Sequence, residues 1–135
     1  LNKEQMCEKC VECLKKARLY EEVKNQMNMS AVKLSGGQKQ RLAIARTLCV
    51  EPEVLLLDEP CSALDMKNTI AIEEMLMELK EQYTIVIVTH NLAQAKRIAD
   101  NVVFMDQGRI LEITEKEQFF TNPVSEQAKE QIKYM

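Results

Sequence analysis

The sequence predicts an α/β fold, in which a mainly parallel sheet is flanked by helices. Two short apolar runs, residues 54–57 (VLLL) and 84–89 (TIVIVT), have the continuous hydrophobicity of strands that are buried on both faces. Stretches with the apolar spacing of amphipathic helices separate and flank these runs. Because buried strands that alternate with helices are typical of α/β architecture, we expect both runs to belong to a parallel sheet.

The first half of the chain is predicted to be mostly helical. Residues 4–20 have apolar side chains at helical spacing, and residues 24–34 form a looser segment. The expected buried stripe of the first helix consists of Cys10, Cys13, Leu14 and Ala17.

A second helix is predicted to begin after Ser35, which suits the N-cap position. Gln38 stands three residues later, so the pair has the spacing of a capping box. This helix is expected to run to about Cys49 and to end before Pro52, because proline disfavours helical backbone in the residue that precedes it.

The second half alternates helices and strands. Helices are expected over residues 66–80 and 91–99, and strands over 102–106 and 109–113 are expected to pair as a hairpin around Gln107-Gly108. The predicted inward face of the first of these helices consists of Ile72, Met75, Leu76 and Leu79, and small helices are expected near 115–121 and 125–134.

Composition limits the classes of function. The 135 residues suit one domain or a piece of one, and the start at Leu1 fits a fragment better than a complete reading frame. A net charge of -3 gives no electrostatic case for nucleic-acid binding. No run reaches the roughly 18 apolar residues of a membrane span. Five cysteines are an odd number, which disfavours a secreted disulfide scaffold and favours a reducing, cytoplasmic setting.

Polar side chains follow both predicted strands. Asp58 and Glu59 end the first strand, and His90, the single histidine, follows the second. Ligands of open α/β sheets gather at the carboxyl ends of strands, where a carboxylate pair can hold Mg²⁺ and activate a water molecule. His90 could donate to a phosphate oxygen or to that water. The alternatives are that Asp-Glu-Pro only opens a turn and that His90 is structural.

The segment Ser35-Gly36-Gly37-Gln38 uses two of the three glycines of the chain. Glycines at a helix start cost stability relative to alanine, but they let an anion approach the backbone N–H groups and the positive end of the helix dipole. We therefore favour contact with an anion. The alternative is a capped helix whose glycines serve only the preceding loop.

Three cysteines, Cys7, Cys10 and Cys13, share the spacing of part of an iron–sulfur motif. The fourth cysteine of such a motif is missing, because position 17 is Ala. On a helix, these thiols share one apolar face and behave as small hydrophobic groups. We therefore favour packing over a metal site.

Four segments, in this order and spacing, resemble the motifs of ATP-binding-cassette ATPases. LSGGQKQR (34–41) resembles the signature motif, and VLLLDEP (54–60) resembles Walker B with the adjoining catalytic glutamate. SALD (62–65) is similar to the D-loop, and His90 to the switch histidine. The resemblance implies the C-terminal part of a P-loop NTPase domain of this type, without the strand that carries the P-loop.

Two stretches resemble one branch of that family, the subunit that energises uptake of inorganic phosphate. These stretches are DEPCSALD (58–65) and YTIVIVTHNLAQAKRIAD (83–100). Met66 stands where proline is common, and Ile113 stands where glycine is usual, so the transported solute rests on the resemblance alone.

The resemblance also implies roles for individual residues. Asp58 would hold Mg²⁺, Glu59 would activate water and His90 would contact the γ-phosphate of ATP. A second set, at the interface with a second ATP-binding subunit, would meet the nucleotide held by that opposite subunit: Ser35, Gly36, Gly37, Gln38 and Asp65. Further implied partners are transmembrane permease subunits, at the cytoplasmic face of the membrane.

The printed residues contain no G-x-x-x-x-G-K-[ST] sequence, which a P-loop needs to hold phosphates. We therefore expect that the chain alone neither binds ATP tightly nor hydrolyses it. Without the P-loop strand, residues 84–89 would present an apolar edge. We expect self-association, or the chain's own strand near 102–106, to cover this edge.

The expected organisation is a single partial ATPase domain. Residues up to about 50 would form its helical signature region, and residues 51–135 its Walker B, D-loop and switch-histidine core. Two alternatives remain open: a non-transport cassette protein that acts in translation or DNA repair, and a catalytically dead interaction module.

Overall fold

A computed structural model describes residues 2–135 and divides the chain into two compact units. The first unit ends at Val88, and the second runs from Thr89 to Met135. The division into a signature region and a Walker B core near residue 50 stays a prediction. None of the helices in the described part of the chain is long and apolar enough to cross a membrane.

The first unit contains four helices and two strands. Strands β1 (Val54–Asp58) and β2 (Thr84–Val88) pair in parallel, in a register that places Val54 beside Thr84 and Asp58 beside Val88. The predicted parallel pairing is therefore confirmed. The elements are α1 (Lys3–Lys16), α2 (Tyr20–Val23), a 3-10 turn (Ala31–Lys33), α3 (Gly36–Leu48), β1 (Val54–Asp58), α4 (Met66–Leu79) and β2 (Thr84–Val88).

Helix α1 ends at Lys16, so the prediction of one helix over 4–20 is wrong. Arg18 adopts a left-handed backbone with φ 51°. Its N–H donates to the carbonyl of Lys15 at 2.9 Å, and the N–H of Leu19 donates to the carbonyl of Leu14 at 2.9 Å. These two bonds form a Schellman motif, which ends the helix although no glycine is present.

The core of the first unit is formed by α1, α3, α4 and β1. The predicted inward face of α4 is confirmed, but Cys10 is exposed, contrary to the predicted stripe of α1. Cys10 lies one turn before Cys13 and Leu14, the buried residues of α1. The buried side chains include Cys13, Leu14, Ala17, Leu19, Ile44, Leu48, Leu55, Ile72, Met75, Leu76 and Leu79.

The prediction that both strands are buried on both faces is wrong. Leu55 is fully buried, whereas Leu56 is 76% exposed, and Val86 and Val88 are also exposed. Successive side chains of a strand point to opposite faces, and the helices of this unit cover only one of them. The expectation that 102–106 covers the edge of β2 stays a prediction. Self-association through β2 stays a prediction.

The second unit packs three helices on an antiparallel hairpin. The predicted hairpin is confirmed, and Gln107 (φ 45°) and Gly108 (φ 74°) form its turn, with the positive φ at both positions that a type I′ turn requires. Phe104, Phe119 and Ala128 form its buried core. The elements are α5 (Leu92–Ile98), β3 (Asn101–Asp106), β4 (Arg109–Glu115), α6 (Lys116–Thr121) and α7 (Glu126–Lys133).

Candidate functional site

The segment Ser35–Gln38 caps the start of α3 as predicted. The Ser35 Oγ accepts from the backbone N–H of Gln38 at 3.3 Å, and the Gln38 Oε1 accepts from the backbone N–H of Ser35 at 3.0 Å. The predicted capping box is therefore confirmed. It fixes both side chains at the positive end of the helix dipole.

Gly37 lies at a close contact between α3 and α4. A Cβ atom at Gly37 would lie 2.3 Å from the Oδ1 of Asn68, whereas one at Gly36 would lie 3.4 Å from the nearest Leu64 atom. Only hydrogen fits at position 37 without movement of Asn68. Gly37 therefore has a packing reason of its own, and the predicted contact of the glycine pair with an anion stays a prediction.

Asp65 caps the start of α4 beside this contact. Its Oδ1 accepts from the backbone N–H of Asn68, and its Oδ2 accepts from the Asn68 side-chain amide, both at 2.8 Å. These hydrogen bonds, first of all the one from the backbone, lower the pKa of the exposed Asp65 carboxyl. The contact of Gly37 with Asn68 thus brings two predicted parts of the site, residues 35–38 and Asp65, next to each other.

A buried arginine connects residues 34–41, the signature segment, to α2. Arg41 is 8% exposed, and its guanidinium donates to both oxygens of the Glu22 carboxylate, at 2.6 and 3.1 Å. It also donates to the carbonyl of Arg18 at 2.6 Å and, more weakly, to that of Gly37 at 3.4 Å. A buried guanidinium needs such partners, because an unpaired buried charge is very costly.

The sequence motifs do not indicate Glu22, Asn68 or the role of Arg41. A signal was present for Arg41, which stands on the same helical face as the buried residues Gly37, Ile44 and Ala45. A charged residue on an apolar face requires an acidic or carbonyl partner. Nothing in the sequence indicates which of the many glutamates supplies it.

Glu22 gives a pH-dependent contribution to stability. Its pKa is lowered from 4.5, chiefly because Arg41 donates to the carboxylate. A lowered carboxyl pKa stabilises the fold above pH 4.5, and this stability is lost as the pH falls through the still lower folded-state pKa. Because the Glu22 side chain is 42% exposed, solvent screening limits the charge contribution to about 1 kcal/mol.

We therefore expect Glu22→Gln to destabilise the chain at neutral pH and to have a diminishing effect below pH 4.5, where Glu22 of the wild type becomes protonated. Thermal unfolding of both proteins from neutral pH to about pH 3 measures this difference. A difference that stays constant over this range would contradict the assignment.

Asp58 and Glu59 lie at the carboxyl end of β1. Asp58 is exposed, and Glu59 has a left-handed backbone with φ 47°. The Glu59 N–H donates to the carbonyl of Val88 at 2.8 Å, so the turn starts directly beside the end of β2. Non-glycine residues with this backbone are uncommon and concentrate at functional sites. Arg18 at the end of α1 and Gln107 in the hairpin turn have the same backbone, so the predicted role of Glu59 stays a prediction.

His90 is exposed and follows β2, in the second compact unit. Its predicted role stays a prediction. Among the described residues, no three side chains of His, Cys, Asp or Glu come together as a metal site. Of the cysteines at 7, 10 and 13, the first two are exposed and the third is buried.

The exposed Asp58 and the neighbouring Glu59 could bind a cation that takes its remaining ligands from water and substrate. Mg²⁺ is commonly bound by one or two carboxylates, with the rest of its coordination supplied by water and substrate phosphates. The carboxylate pair at the end of β1 therefore fits Mg²⁺ that arrives with ATP better than a resident metal held by the protein alone.

Comparison with known proteins shows which proteins this chain is similar to. A family model described as ABC transporter matches residues 2–62. The chain is 51% identical over 121 residues to the phosphate import ATP-binding protein PstB 2 of Aliivibrio fischeri, covering 90% of this chain and 44% of the relative. It is 51% identical over 124 residues to PstB 1 of Lactiplantibacillus plantarum, covering 91% and 46%. The chain therefore spans less than half the length of these relatives.

Solved structures that this chain resembles are also ATP-binding cassettes. The dimeric ATP-binding cassette MJ0796, in a post-hydrolysis state bound to ADP and Pi, matches with a TM-score of 0.70 and 33% identity, over 86% of this chain and 49% of that one. The ADP conformation of the cassette MJ1267 matches with a TM-score of 0.82 and 25% identity, over 97% and 51%. These matches confirm the predicted fold class, the C-terminal part of an ABC-type P-loop NTPase domain, and the chain resembles ATP-binding-cassette proteins in sequence.

Proposed function

We propose that this chain supplies part of the ATP-binding subunit of a transporter that imports inorganic phosphate. The observation that carries the proposal is the contact of Gly37 with Asn68, which joins the signature segment to Asp65. About 50% identity to proteins named as phosphate import ATP-binding proteins supports the solute.

The residues divide into two groups by their proposed roles. Asp58 would hold Mg²⁺, Glu59 would accept a proton from the attacking water, and His90 would donate to the γ-phosphate. Bound Mg²⁺ neutralises charge that develops on the phosphate oxygens. Asp65 and the segment Ser35–Gln38 would instead meet an ATP molecule held by a second subunit.

The proposed assembly places the chain beside other subunits. Asp65 and the signature segment would face a second ATP-binding subunit, and transmembrane permease subunits would hold both at the cytoplasmic side of the membrane. The dimeric state of the MJ0796 structure supports the pairing of two such cassettes. The signature segment would then sense ATP only when both subunits meet.

The chain alone is expected to have no tight site for ATP. Its printed residues contain no P-loop sequence, and the signature segment offers only the start of one helix to the phosphates. Calorimetric titration with Mg-ATP should therefore show no micromolar affinity. A micromolar affinity would contradict the proposal that this chain supplies the signature side of the site and that another subunit holds the ATP.

A longer relative that binds ATP should supply the part of the site that holds the phosphates, which this chain lacks. We expect the Vibrio parahaemolyticus phosphate import ATP-binding protein PstB 1, 50% identical over 119 residues, to bind this chain more tightly with AMP-PNP than with ADP. A preference of about tenfold or more corresponds to about 1.4 kcal/mol of coupling through the γ-phosphate. Biolayer interferometry with the immobilised chain measures both affinities.

A matched pair of serine variants controls this measurement. Ser35 caps α3 and Ser30 caps the 3-10 turn, each by accepting a backbone N–H. Ser35→Ala should remove most of the preference for AMP-PNP, and Ser30→Ala should leave it unchanged. Equal affinities with AMP-PNP and ADP in the wild type would contradict the proposed function.

A further inference from the structure

Glu22 lies outside every motif of the sequence, yet it contacts two side chains of the signature segment. Its Oε2 accepts from the side-chain amide of Gln38 at 2.9 Å. The same carboxylate accepts from both terminal nitrogens of Arg41. Such a two-pronged pairing fixes the direction of a carboxylate more firmly than a single hydrogen bond.

Arg41 in turn is oriented by the main chain. Its guanidinium donates to the carbonyl of Arg18, which the left-handed end of α1 places beside it, and to the carbonyl of Gly37. The guanidinium is planar, and its two terminal nitrogens remain available to donate to the Glu22 carboxylate. The position of the Glu22 carboxylate therefore follows from the packing of α1 and α3.

Gln38 is held at both ends of its side-chain amide. Its Oε1 accepts from the backbone N–H of Ser35, and its Nε2 donates to Glu22. The two contacts determine which way the amide faces, since carboxylate oxygens accept hydrogen bonds and cannot donate them when ionised. Without Glu22, Gln38 would keep only the capping contact and could rotate away from it.

We infer that Glu22 is a positioning residue for the signature segment. It holds the Gln38 side chain, and through the capping box it holds Ser35, in the arrangement that would face the γ-phosphate. What the segment binds rests on the proposed function. The arrangement itself rests on the contacts of Glu22 within this chain.

The test begins with the chain alone and with a matched control. Glu21 precedes Glu22 on the same short helix and is exposed, and its carboxylate pairs with Lys24. We expect Glu22→Ala to move the NMR signals of the Gln38 side-chain amide toward those of a free glutamine and to speed their exchange with water. Glu21→Ala should leave these signals in place. Unchanged Gln38 signals in Glu22→Ala would overturn the inference.

The second readout is affinity for the AMP-PNP-loaded relative. We expect Glu22→Ala to weaken binding about tenfold, Glu22→Asp to recover part of the loss, and Glu21→Ala to stay close to the wild type. A residue that only stabilised the fold would lower the melting temperature and leave the affinity of the folded protein unchanged, which would contradict positioning. Should Glu22→Ala fail to fold, Glu22→Gln, which keeps a neutral acceptor, serves in both measurements.

The two readouts separate the inference from the proposed function. If the wild type shows no preference for AMP-PNP, the proposed function fails, and the Gln38 signals still decide whether Glu22 holds the signature segment. If the preference is present and survives in a folded Glu22→Ala, the inference fails and the proposed function stands.

Discussion

Gly37→Ala is expected to destabilise the first compact unit by about 1–3 kcal/mol, the usual cost of forcing an extra methyl group into a packed contact. The new Cβ would lie 2.3 Å from the Oδ1 of Asn68 and 3.1 Å from its Cβ. A rotation of the amide relieves the first contact but not the second. It also breaks the hydrogen bond from Asn68 to Asp65.

Gly36→Ala is the matched control for this prediction. Its Cβ would meet only a Leu64 methyl at 3.4 Å, and alanine is favoured over glycine in a helix by up to about 1 kcal/mol. We therefore expect Gly36→Ala to be neutral or stabilising in urea unfolding, and Gly37→Ala to lower the midpoint. Equal effects of the two substitutions would show that α3 and α4 do not meet at Gly37.

Glu112→Ala is expected to destabilise the second compact unit by about 2–4 kcal/mol. Glu112 is 7% exposed, and its carboxylate accepts from the backbone N–H groups of Val124 and Ser125 and from the Ser125 hydroxyl, at 3.0 to 3.3 Å. Alanine leaves these donors without their acceptor. These hydrogen bonds are part-buried, and a hydrogen bond to a charged group contributes about 1.5–3 kcal/mol.

Hydrogen exchange at the start of α7 and in the core around Phe119 measures this effect. We expect faster exchange there in Glu112→Ala and an intermediate result in Glu112→Gln, which keeps one acceptor oxygen. Glu130→Ala, at an exposed position of α7, is the control and should match the wild type. Wild-type protection in Glu112→Ala would mean that the loop before α7 does not depend on this carboxylate.

Local patterns in the sequence were sufficient to predict most helices and the hairpin. Ser35 and Gln38 interact with each other within one turn, so their capping box depends on little else. The inward face of α4 likewise follows from helical periodicity. The end of α1 could not be predicted in this way, because Arg18 takes the left-handed backbone that glycine usually provides.

Contacts between residues that lie far apart in the chain could not be predicted from local sequence patterns. Glu22 and Arg41 are 19 residues apart, and nothing local distinguishes Glu22 from the exposed Glu21 beside it. The burial of the strands was also misjudged. Apolar runs indicate what a strand is able to bury, whereas Leu56 and Val86 are exposed because the elements of the first unit cover only the opposite face.

The signature segment is proposed to meet a γ-phosphate held by another subunit, and the three glycines of the chain provide a direct test of this contact. Chain labelled with ¹⁵N-glycine is titrated with the Vibrio parahaemolyticus relative, loaded with AMP-PNP or with ADP. We predict that AMP-PNP shifts the amide signals of Gly36 and Gly37, that Gly108 in the hairpin turn stays unchanged, and that ADP shifts neither signature glycine. Identical spectra with AMP-PNP and ADP would contradict the proposed contact.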